Sequence, residues 1–285
     1  MPNAQEHALQ RQIITELCVD SVFDAQQSIQ QRVGFLADYL IANGLRSLVL
    51  GISGGVDSLV GGCLSQRAVE AARSRGHDAT FIAMRLPYGQ QHDEHEAQAG
   101  LNVIQPDKIL TVNIKPAADA MLASVLDANV AFRDEVHQDF LMGNIKARQR
   151  MIAQYAVAGA YHGLVVGTDQ AAEALMGFFT KFGDGAADVT PLTGLTKRRV
   201  RVLAQAMGAP DDLVFKVPTA DLESLKPQKP DEEAFGVSYA EIDDFLEGKD
   251  VSRQAYDIIL RTWRTSGHKR ALPVTPQGWR PHGAV

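Results

Sequence analysis

Short apolar runs alternate with longer amphipathic segments along the first two thirds of the chain. Four runs have the length and continuity of strands that are buried on both faces of a sheet. These runs lie at 47–52, 80–84, 109–114 and 164–167. Elsewhere apolar residues recur at helical spacing, as at Ile29, Val33, Leu36 and Leu40, with Gly44 as a stop. The further predicted helices cover 56–75, 93–104, 116–128, 137–159 and 171–176.

Strands that alternate with helices in this way predict an α/β fold. We expect a doubly wound, mostly parallel sheet with helices on both faces, forming one domain over 1–285. In such sheets ligands bind beyond the carboxyl ends of the strands, near the point where the strand order reverses. The stretches 51–58 and 167–169 each follow a predicted strand. Both are therefore expected at the same edge of the sheet.

Two later segments lack any regular pattern. Residues 178–191 are rich in Gly, Asp and Thr, and residues 219–235 hold Pro227 and Pro230 among charged residues. Both are candidate mobile loops over an active site, and for the second a plain surface loop is an equal alternative. We expect both segments to be mobile in the enzyme without ligand.

Composition excludes some classes of function. The formal net charge is −6, so the chain has no general attraction to nucleic acid or to an anionic membrane. The basic run at 196–201 is therefore interpreted as a solvated helix start rather than as a nucleic-acid patch. Cys18 and Cys63 have neither zinc nor disulfide spacing, and no apolar run is long enough to span a bilayer. With no signal-peptide core at the start, a cytoplasmic location is expected.

The stretch 51–58 carries the clearest chemistry. It reads Gly-Ile-Ser-Gly-Gly-Val-Asp-Ser, and its glycines allow backbone N–H groups to surround an anion at a helix start. Ser53 and Ser58 can donate to phosphate oxygens, whereas Asp57 suits a Mg²⁺ ion carried with a nucleotide. The Gly-Lys-Ser/Thr ending of a Walker A loop is absent. The alternative is an ordinary strand–turn–helix connection.

These residues resemble the SGGxDS signature of the ATP pyrophosphatases, which have an adenine nucleotide hydrolase-like fold. In that superfamily the bond between the α and β phosphates is broken and pyrophosphate leaves. The signature alone also fits GMP synthetase, asparagine synthetase, argininosuccinate synthetase and tRNA-modifying enzymes. Further runs resemble the ammonia-dependent NAD synthetases, in order and with similar spacing. These runs lie at 144–150, 167–173, 180–185, 191–192, 196–197, 218–222 and 268–270.

The resemblance implies an activity and its partners. The activity is the ATP-dependent amidation of deamido-NAD with ammonia through an NAD-adenylate, which releases AMP and pyrophosphate and completes NAD biosynthesis. It implies Mg²⁺, a homodimer with the dinucleotide near the subunit interface, and no fused glutaminase in 285 residues.

The resemblance also implies the site residues. The implied ATP contacts are Gly51, Ile52, Ser53, Gly54, Gly55, Val56, Asp57, Ser58, Thr168, Lys197 and Thr219. The implied deamido-NAD contacts are Phe140, Asn144, Arg148, Lys181, Asp188, His268 and Lys269. Asp57 and Glu173 are the implied Mg²⁺ ligands. The chain departs from the family pattern in having Val at 56, where many members have Gln, and Gln at 170, where many have His.

Three residues are candidates for the chemistry itself. Asp57 would act through the metal, and Lys181 could stabilise the tetrahedral oxyanion of the acyl step. Ammonia is mostly protonated to ammonium at neutral pH, so Asp184, or alternatively Asp188, could take its proton. Asp184 is also a candidate for a second metal site.

The competing functions are another ATP-driven amination or thiolation, and a nucleotide-binding regulator without turnover. Thiolating members usually carry paired cysteines for sulfur transfer, and Cys18 and Cys63 give no such pair. A regulator would be expected to lose Asp57, Glu173 or Lys181, and all three are present.

Overall fold

A four-stranded parallel sheet forms the centre of the protein. The computed structural model describes residues 3–89, 94–220, 223–225 and 229–276. The strands are β1 (Ser47–Gly51), β2 (Thr80–Arg85), β3 (Lys108–Thr111) and β4 (Gly163–Val165). Their order is β3-β2-β1-β4, and every neighbouring pair is parallel. The predicted α/β class and parallel sheet are therefore confirmed.

Helices surround this sheet and extend beyond it toward the C-terminus. The first six helices are α1 (Ala4–Glu16), α2 (Ala25–Ala42), α3 (Val56–Ser74), α4 (Glu94–Ile104), α5 (Lys115–Asp127) and α6 (Glu135–Ala160). The later helices are α7 (Ala171–Met176), α8 (Lys197–Ala206), α9 (Asp211–Val214), α10 (Asp231–Phe235), α11 (Tyr239–Leu246), α12 (Arg253–Thr265) and α13 (Gly267–Arg270). A two-stranded antiparallel ribbon joins β5 (Thr219–Ala220) to β6 (Lys229–Pro230). None of the helices in the described ranges is long and apolar enough to cross a membrane.

Both faces of the sheet are covered, as the continuous apolar runs predict. Leu48 and Leu50 of β1 pack with α2, α3 and α8 on one face. Val49, between them, packs with β2 residues and with Ala158 of α6 on the other face. A separate core joins α1, α7, α11 and α12 around Phe245 and other fully buried side chains. This second core supports the C-terminal half of the functional site.

The strand order reverses between β1 and β4. Ser47 of β1 lies in register with Thr80 of β2 on one side and with Gly163 of β4 on the other. Beyond β4, Val166 pairs in parallel with Val189, which continues the sheet past the last regular strand. The loops after β1 and β4 therefore meet at the same edge, where ligands bind in folds of this kind.

Three sequence predictions differ from the structure in their details. Strand β3 ends at Thr111 rather than at 114, because the Asn113 side chain accepts the N–H groups of Gly89 and Lys115 and turns the chain into α5. The segment 219–235 is not wholly irregular, since it contains β5, β6 and α10; its residues 221–222 and 226–228 lie outside the described ranges. Helix α1 had no predicted counterpart, although Asn3 and Glu6 form a capping box at its start.

Candidate active site

A cleft of about 490 Å³ opens at the carboxyl ends of β1 and β4. The loop after β1 and the start of α3 form one side of it, and Thr168 after β4 forms another. Helix α6 contributes Phe140 and Asn144, and the start of α8 contributes Lys197. The ribbon segment closes the remaining side with Thr219. Residues from five separate parts of the chain thus meet at the predicted edge.

The loop after β1 has the shape of an anion cradle. Gly54 adopts a φ of +88°, and a Cβ atom built there would lie 3.2 Å from the backbone nitrogen of Ala97. Helix α3 begins after Gly55, and no side chain of the described residues caps its first turn. Its first N–H groups therefore keep the capacity to donate to a bound anion. Of the eight residues at 51–58, all but Gly54 line the cleft.

The two serines of this loop hold its conformation. Ser58 Oγ donates to the carbonyl of Gly55 at 2.9 Å and accepts the N–H of Ser53 at 3.3 Å. The N–H of Gly51, at the end of β1, donates to Gln154 Oε1 of α6 at 2.8 Å. The cradle is therefore fixed both from within and from the opposite face of the sheet. Gln154 has no sequence signal that distinguishes it from an ordinary helix residue.

Asp57 and Lys197 form an ion pair at the bottom of the cleft. Lys197 Nζ lies 2.5 Å from Asp57 Oδ2, and the Lys197 side chain is only 3% exposed. Burial alone would lower the pKa of Lys197, but the charges of Asp57 and Glu173 raise it above its ordinary value. The lysine is therefore held as a cation although it is removed from water.

The start of α8 aims Lys197 inward. Asp243 of α11 accepts the N–H groups of Lys197 and Arg198 at 3.0 and 2.7 Å, which fixes the first turn of the helix. Arg198 pairs with Glu247, and the buried Arg199 donates to the carbonyl of Asp20. The interpretation of this run as a solvated face is therefore only partly right, because Lys197 and Arg199 are buried.

Glu173 lies at the start of α7, facing the same cleft. Its Oε2 atom accepts the N–H of Gln170 at 3.2 Å, while Gln170 Oε1 accepts the N–H of Ala172 at 2.6 Å. Burial, followed by the charge of Asp57, raises the pKa of Glu173 well above its ordinary value. Asp57 Oδ1 is buried and has no hydrogen-bond partner among the described residues. Two carboxylates close together with an unused oxygen provide the donor set that a divalent cation with remaining water or phosphate ligands needs.

Further carboxylates lie in or near the cleft. Burial and the charges of Asp184 and Asp57 raise the pKa of Asp169 to about 7. Asp184 lines the cleft and accepts the N–H of Thr180 at 3.0 Å, and burial raises its pKa as well. Asp231 of α10 also lines the cleft. Sequence reasoning gave neither Asp169 nor Asp231 a role. Over the described ranges, no group of three or more His, Cys, Asp or Glu side chains is arranged to hold a metal ion.

Of the residues implied to contact deamido-NAD, some line the cleft and others lie outside it. Phe140, Asn144 and Lys269 line the cleft. Arg148 and Lys181 do not, but Arg148 Nη2 donates to the carbonyl of Lys181 at 3.1 Å. Lys181 Nζ in turn donates to the carbonyl of His268 at 2.7 Å. These last three form a connected group of cationic and imidazole side chains outside the cleft lining.

Asp188 lies apart from the other predicted site residues. Its carboxylate accepts the N–H of Val165 at 2.8 Å and the hydroxyl of Tyr155 at 3.4 Å. Those contacts hold the end of β4, and the side chain does not line the cleft. In this conformation Asp188 supports the sheet edge from which Thr168 projects.

Comparison with known proteins identifies relatives over the whole chain. The sequence model of the NAD synthase family matches residues 28–273. The NH(3)-dependent NAD(+) synthetase of Streptomyces coelicolor is 65% identical over 269 residues, which are 94% of this chain and 98% of the relative. The NH(3)-dependent NAD(+) synthetase of Burkholderia mallei is 57% identical over 284 residues, which cover 100% of both chains.

Solved structures agree with these relatives. The crystal structure of NAD+ synthetase from Burkholderia pseudomallei has a TM-score of 0.82 and 55% identity, covering 96% of this chain and 99% of that one. The structure of NMN synthetase from Francisella tularensis has a TM-score of 0.78 and 36% identity, covering 90% of this chain and 99% of that one.

Proposed function

This chain belongs to the NAD synthase family, and on that premise we infer that it catalyses the ATP-dependent amidation of deamido-NAD with ammonia. The products are NAD, AMP and pyrophosphate, and the reaction is the last step of NAD biosynthesis. The observation that carries this function is the meeting of Asp57, Lys197 and Glu173 beside the cradle after β1. That arrangement combines an anion-binding loop, a buried cation and a pair of carboxylates.

The chemistry has two steps. A carboxylate oxygen of deamido-NAD attacks the α phosphorus of ATP, and the bond from that phosphorus to the bridging oxygen breaks, so that pyrophosphate leaves. Ammonia then attacks the carbonyl carbon of the acyl adenylate, AMP leaves, and the nitrogen loses a proton. The first step brings two anions together, which requires fixed positive charge at the site. We assign that role to the N–H groups of the 51–58 loop, with Ser53 and Ser58, and to Lys197.

We propose that Asp57 and Glu173 hold the Mg²⁺ ion that accompanies ATP. The buried, unpartnered Oδ1 of Asp57 and the mutual repulsion of the two carboxylates both support a cation between them. When bound, Mg²⁺ supplies charge neutralisation for the triphosphate. Thr168 and Thr219, which line the same cleft, complete the proposed ATP contacts.

For the second step we assign the proton acceptor to Asp184. This carboxylate lines the cleft, and burial raises its pKa, which makes it a stronger base than an exposed carboxylate. The connected group of Arg148, Lys181 and His268 is assigned to the dinucleotide, together with Phe140, Asn144 and Lys269. Lys181 would meet the developing oxyanion only by moving from the carbonyl of His268. An Asp184→Asn variant with an unchanged rate at saturating ammonium would remove the proton role from Asp184.

A second substrate is favoured by one relative. An NMN synthetase is 36% identical with a TM-score of 0.78, so a similar fold occurs in a protein named for a mononucleotide product. The two functions are separated by measuring AMP formation from ATP and ammonium with either deamido-NAD or nicotinic acid mononucleotide. We expect a much higher kcat/KM with deamido-NAD, with NAD as the product. AMP formation only with the mononucleotide, or only with an unrelated carboxylic acid, would contradict the proposed function.

We further propose a homodimer and a cytoplasmic location. Helix α6 has 26 residues, of which only five are buried, whereas 13 of the 19 residues of α3 are buried. Helix α5 buries only Ala118. Exposed apolar side chains on α6, among them Phe140 and Ile152, favour a surface that another chain covers. Both cysteines are free thiols, as is usual in a reducing compartment.

A further inference from the structure

Asp231 is a buried carboxylate to which neither the family signature nor the proposed chemistry gives a role. Its side chain is 6% exposed and lines the cleft beside Lys197. One oxygen, Oδ2, accepts the hydroxyl of Tyr239 at 3.0 Å. The other, Oδ1, is buried and has no hydrogen-bond partner among the described residues. An unsatisfied buried carboxylate oxygen is costly, so a donor that approaches it is strongly favoured.

The surroundings of Asp231 restrict what that donor can be. ATP phosphates carry no donor and would be repelled by the carboxylate. Lys197 is a cation within electrostatic range. Burial raises the pKa of Asp231, and the Tyr239 hydroxyl and the charge of Lys197 oppose that rise, while the charge of Asp231 helps to raise the pKa of Lys197. Lys197 has three N–H donors, and its hydrogen bond to a side chain in the described residues is the one to Asp57.

Tyr239 keeps the two groups in a fixed relation. Its ring centroid lies 5.1 Å from Lys197 Nζ, and its hydroxyl holds Asp231. Helix α10 fixes Tyr239 at two further points, since Glu232 accepts its N–H at 2.7 Å and Phe235 packs edge-on against its ring at 5.4 Å. The ring of Tyr239 thus packs against the ammonium group of Lys197, while its hydroxyl holds the carboxylate of Asp231.

We propose that Asp231 is a positioning residue for Lys197, offering Oδ1 as a second acceptor for the ammonium group when Asp57 turns to the magnesium ion of the nucleotide. Without this acceptor, Lys197 would lose its buried partner at the moment when ATP needs it. With the acceptor, the ammonium group keeps a buried hydrogen-bond partner and stays directed at the phosphates. This inference rests on the proposed ATP-binding role of Lys197.

The test measures binding rather than turnover. The probe is the magnesium complex of α,β-methylene-ATP, which cannot be cleaved at the proposed bond, titrated calorimetrically into the full chain. Asp231→Asn keeps an acceptor for Tyr239 but removes the charge, and we expect about tenfold weaker binding because a charge-assisted hydrogen bond is lost. The thermal midpoint should stay the same or rise, since an unsatisfied buried carboxylate is removed.

Two further variants exclude a purely structural effect. Asp107 is another partly buried carboxylate, far from the cleft, that accepts hydrogen bonds from Arg73 and from the N–H of Phe81. Asp107→Asn removes its charge and should lower the thermal midpoint without changing the affinity for the ATP analogue. In a Lys197→Met background, Asp231→Asn should change affinity by less than about twofold, because its effect passes through the lysine. An equal loss of affinity in both backgrounds would overturn the proposal. Unchanged affinity in the Asp231→Asn single variant would also overturn it, and that result stands even if Lys197→Met does not fold.

The same experiments separate this inference from the proposed function. A parent chain that binds the ATP analogue and shows the Asp231–Lys197 coupling, but makes no AMP from deamido-NAD and ammonium, would contradict the substrate and leave the positioning role intact. A parent chain that does not bind the analogue would contradict both.

Discussion

At the scale of single residues, the cleft concentrates carboxylates around one buried lysine. Asp57 is paired with Lys197, and Glu173 and Asp169 lie close enough for their charges to interact with Asp57. In water these groups would repel one another weakly, but burial strengthens every interaction. The site without ligand is therefore electrostatically strained, and cationic ligands relieve that strain.

Asp169 should make this strain measurable as a pH dependence of stability. Its folded-state pKa of about 7 is above the ordinary value of 3.8, so the folded protein holds a proton that the unfolded chain has released. Stability therefore falls as pH rises from about 4 to about 7 and stays low above that range. Asp169→Asn removes the ionisation, and we expect it to exceed the parent by about 2 to 4 kcal/mol at pH 8, with no gain at pH 4.

The measurement is urea unfolding of both proteins at several pH values. Asp38→Asn, which removes an exposed carboxylate paired with Arg75, is the matched control and should show no gain that grows with pH. An advantage of Asp169→Asn that is equal at pH 4 and pH 8 would mean that ionisation is not its cause.

Gly54 holds the turn of the cradle in a backbone conformation that other residues rarely adopt. An alanine there would have to adopt a φ of +88° and would bring Cβ to 3.2 Å from the backbone of Ala97. We expect Gly54→Ala to lower stability by about 1 to 2 kcal/mol and to weaken ATP binding at least about tenfold, because the cradle must deform. Gly34→Ala is the control: it lies within α2 with open space around it, so it should stabilise the protein by about 0.5 to 1 kcal/mol and leave ATP binding unchanged. Equal effects of both variants on binding would show that the turn at Gly54 is not required.

At the scale of elements, the sequence predicts what is periodic and misses what is short or distant. Strands buried on both faces leave continuous apolar runs, so β1, β2 and β4 begin and end within two residues of their predicted limits. Strands β5 and β6 have two residues each, too few for any period, and only their mutual pairing defines them.

The site shows the same division. Its cradle is local and could be predicted, whereas Asp57 and Lys197 meet across 140 positions, and only the family resemblance indicated that lysine. Asp231 could not be recognised because the sequence Asp231-Glu232-Glu233 is typical of a solvated helix start. Its burial follows from the packing of α10 against Tyr239.

Helix α6 also fixes the segment between β5 and β6. Asp139 accepts the N–H groups of Ser224 and Leu225 at 2.9 and 2.8 Å. Lys146 Nζ donates to Ser224 Oγ at 2.9 Å. The neighbouring residue Glu223 lines the cleft. These contacts connect the helix that carries Phe140 to the wall of the ATP site.

We predict that Asp139→Ala loosens this connection. Loss of two hydrogen bonds to a carboxylate, each worth about 1.5 kcal/mol or more, should speed amide exchange at Ser224 and Leu225 by at least about tenfold in the enzyme without ligand. The KM for ATP should rise more than the KM for ammonium. Hydrogen exchange followed by mass spectrometry measures the first effect and steady-state kinetics the second. Asp127→Ala, an exposed carboxylate at the end of α5, should change neither, and unchanged exchange in Asp139→Ala would show that other contacts hold the segment.

For the protein as a complete chain, exposed large apolar side chains are concentrated on two consecutive helices. Large apolar side chains are exposed along α5, its connection to α6, and α6 itself. They are Met121, Leu126, Val130, Val136, Phe140 and Ile152. Ile109 is also 48% exposed on β3, the edge strand of the sheet. Exposed apolar helices and an open sheet edge favour association with a second copy over a free surface.

This surface and the cleft share helix α6, since Phe140 lines the cleft and is also 52% exposed. A second subunit that covers α6 would therefore border the proposed dinucleotide site, which links assembly to substrate binding. The ATP cradle is formed mainly by the end of β1 and the start of α3, and α6 contacts it through Gln154. Assembly should consequently influence the affinity for deamido-NAD more than the affinity for ATP.

Ile152→Asp tests both parts of this argument. Light scattering after size-exclusion chromatography should give about twice 31.0 kDa for the parent and 31.0 kDa for the variant, because a charge is placed in an apolar interface. The variant should bind deamido-NAD at least about tenfold more weakly while its affinity for the ATP analogue changes by less than about threefold. Val22→Asp, at a side chain that is 83% exposed before α2, is the control and should remain a dimer with parental affinities. A monomeric parent would contradict the assembly, whereas a monomeric Ile152→Asp variant with parental affinity for deamido-NAD would leave the dimer intact and place the dinucleotide within a single subunit.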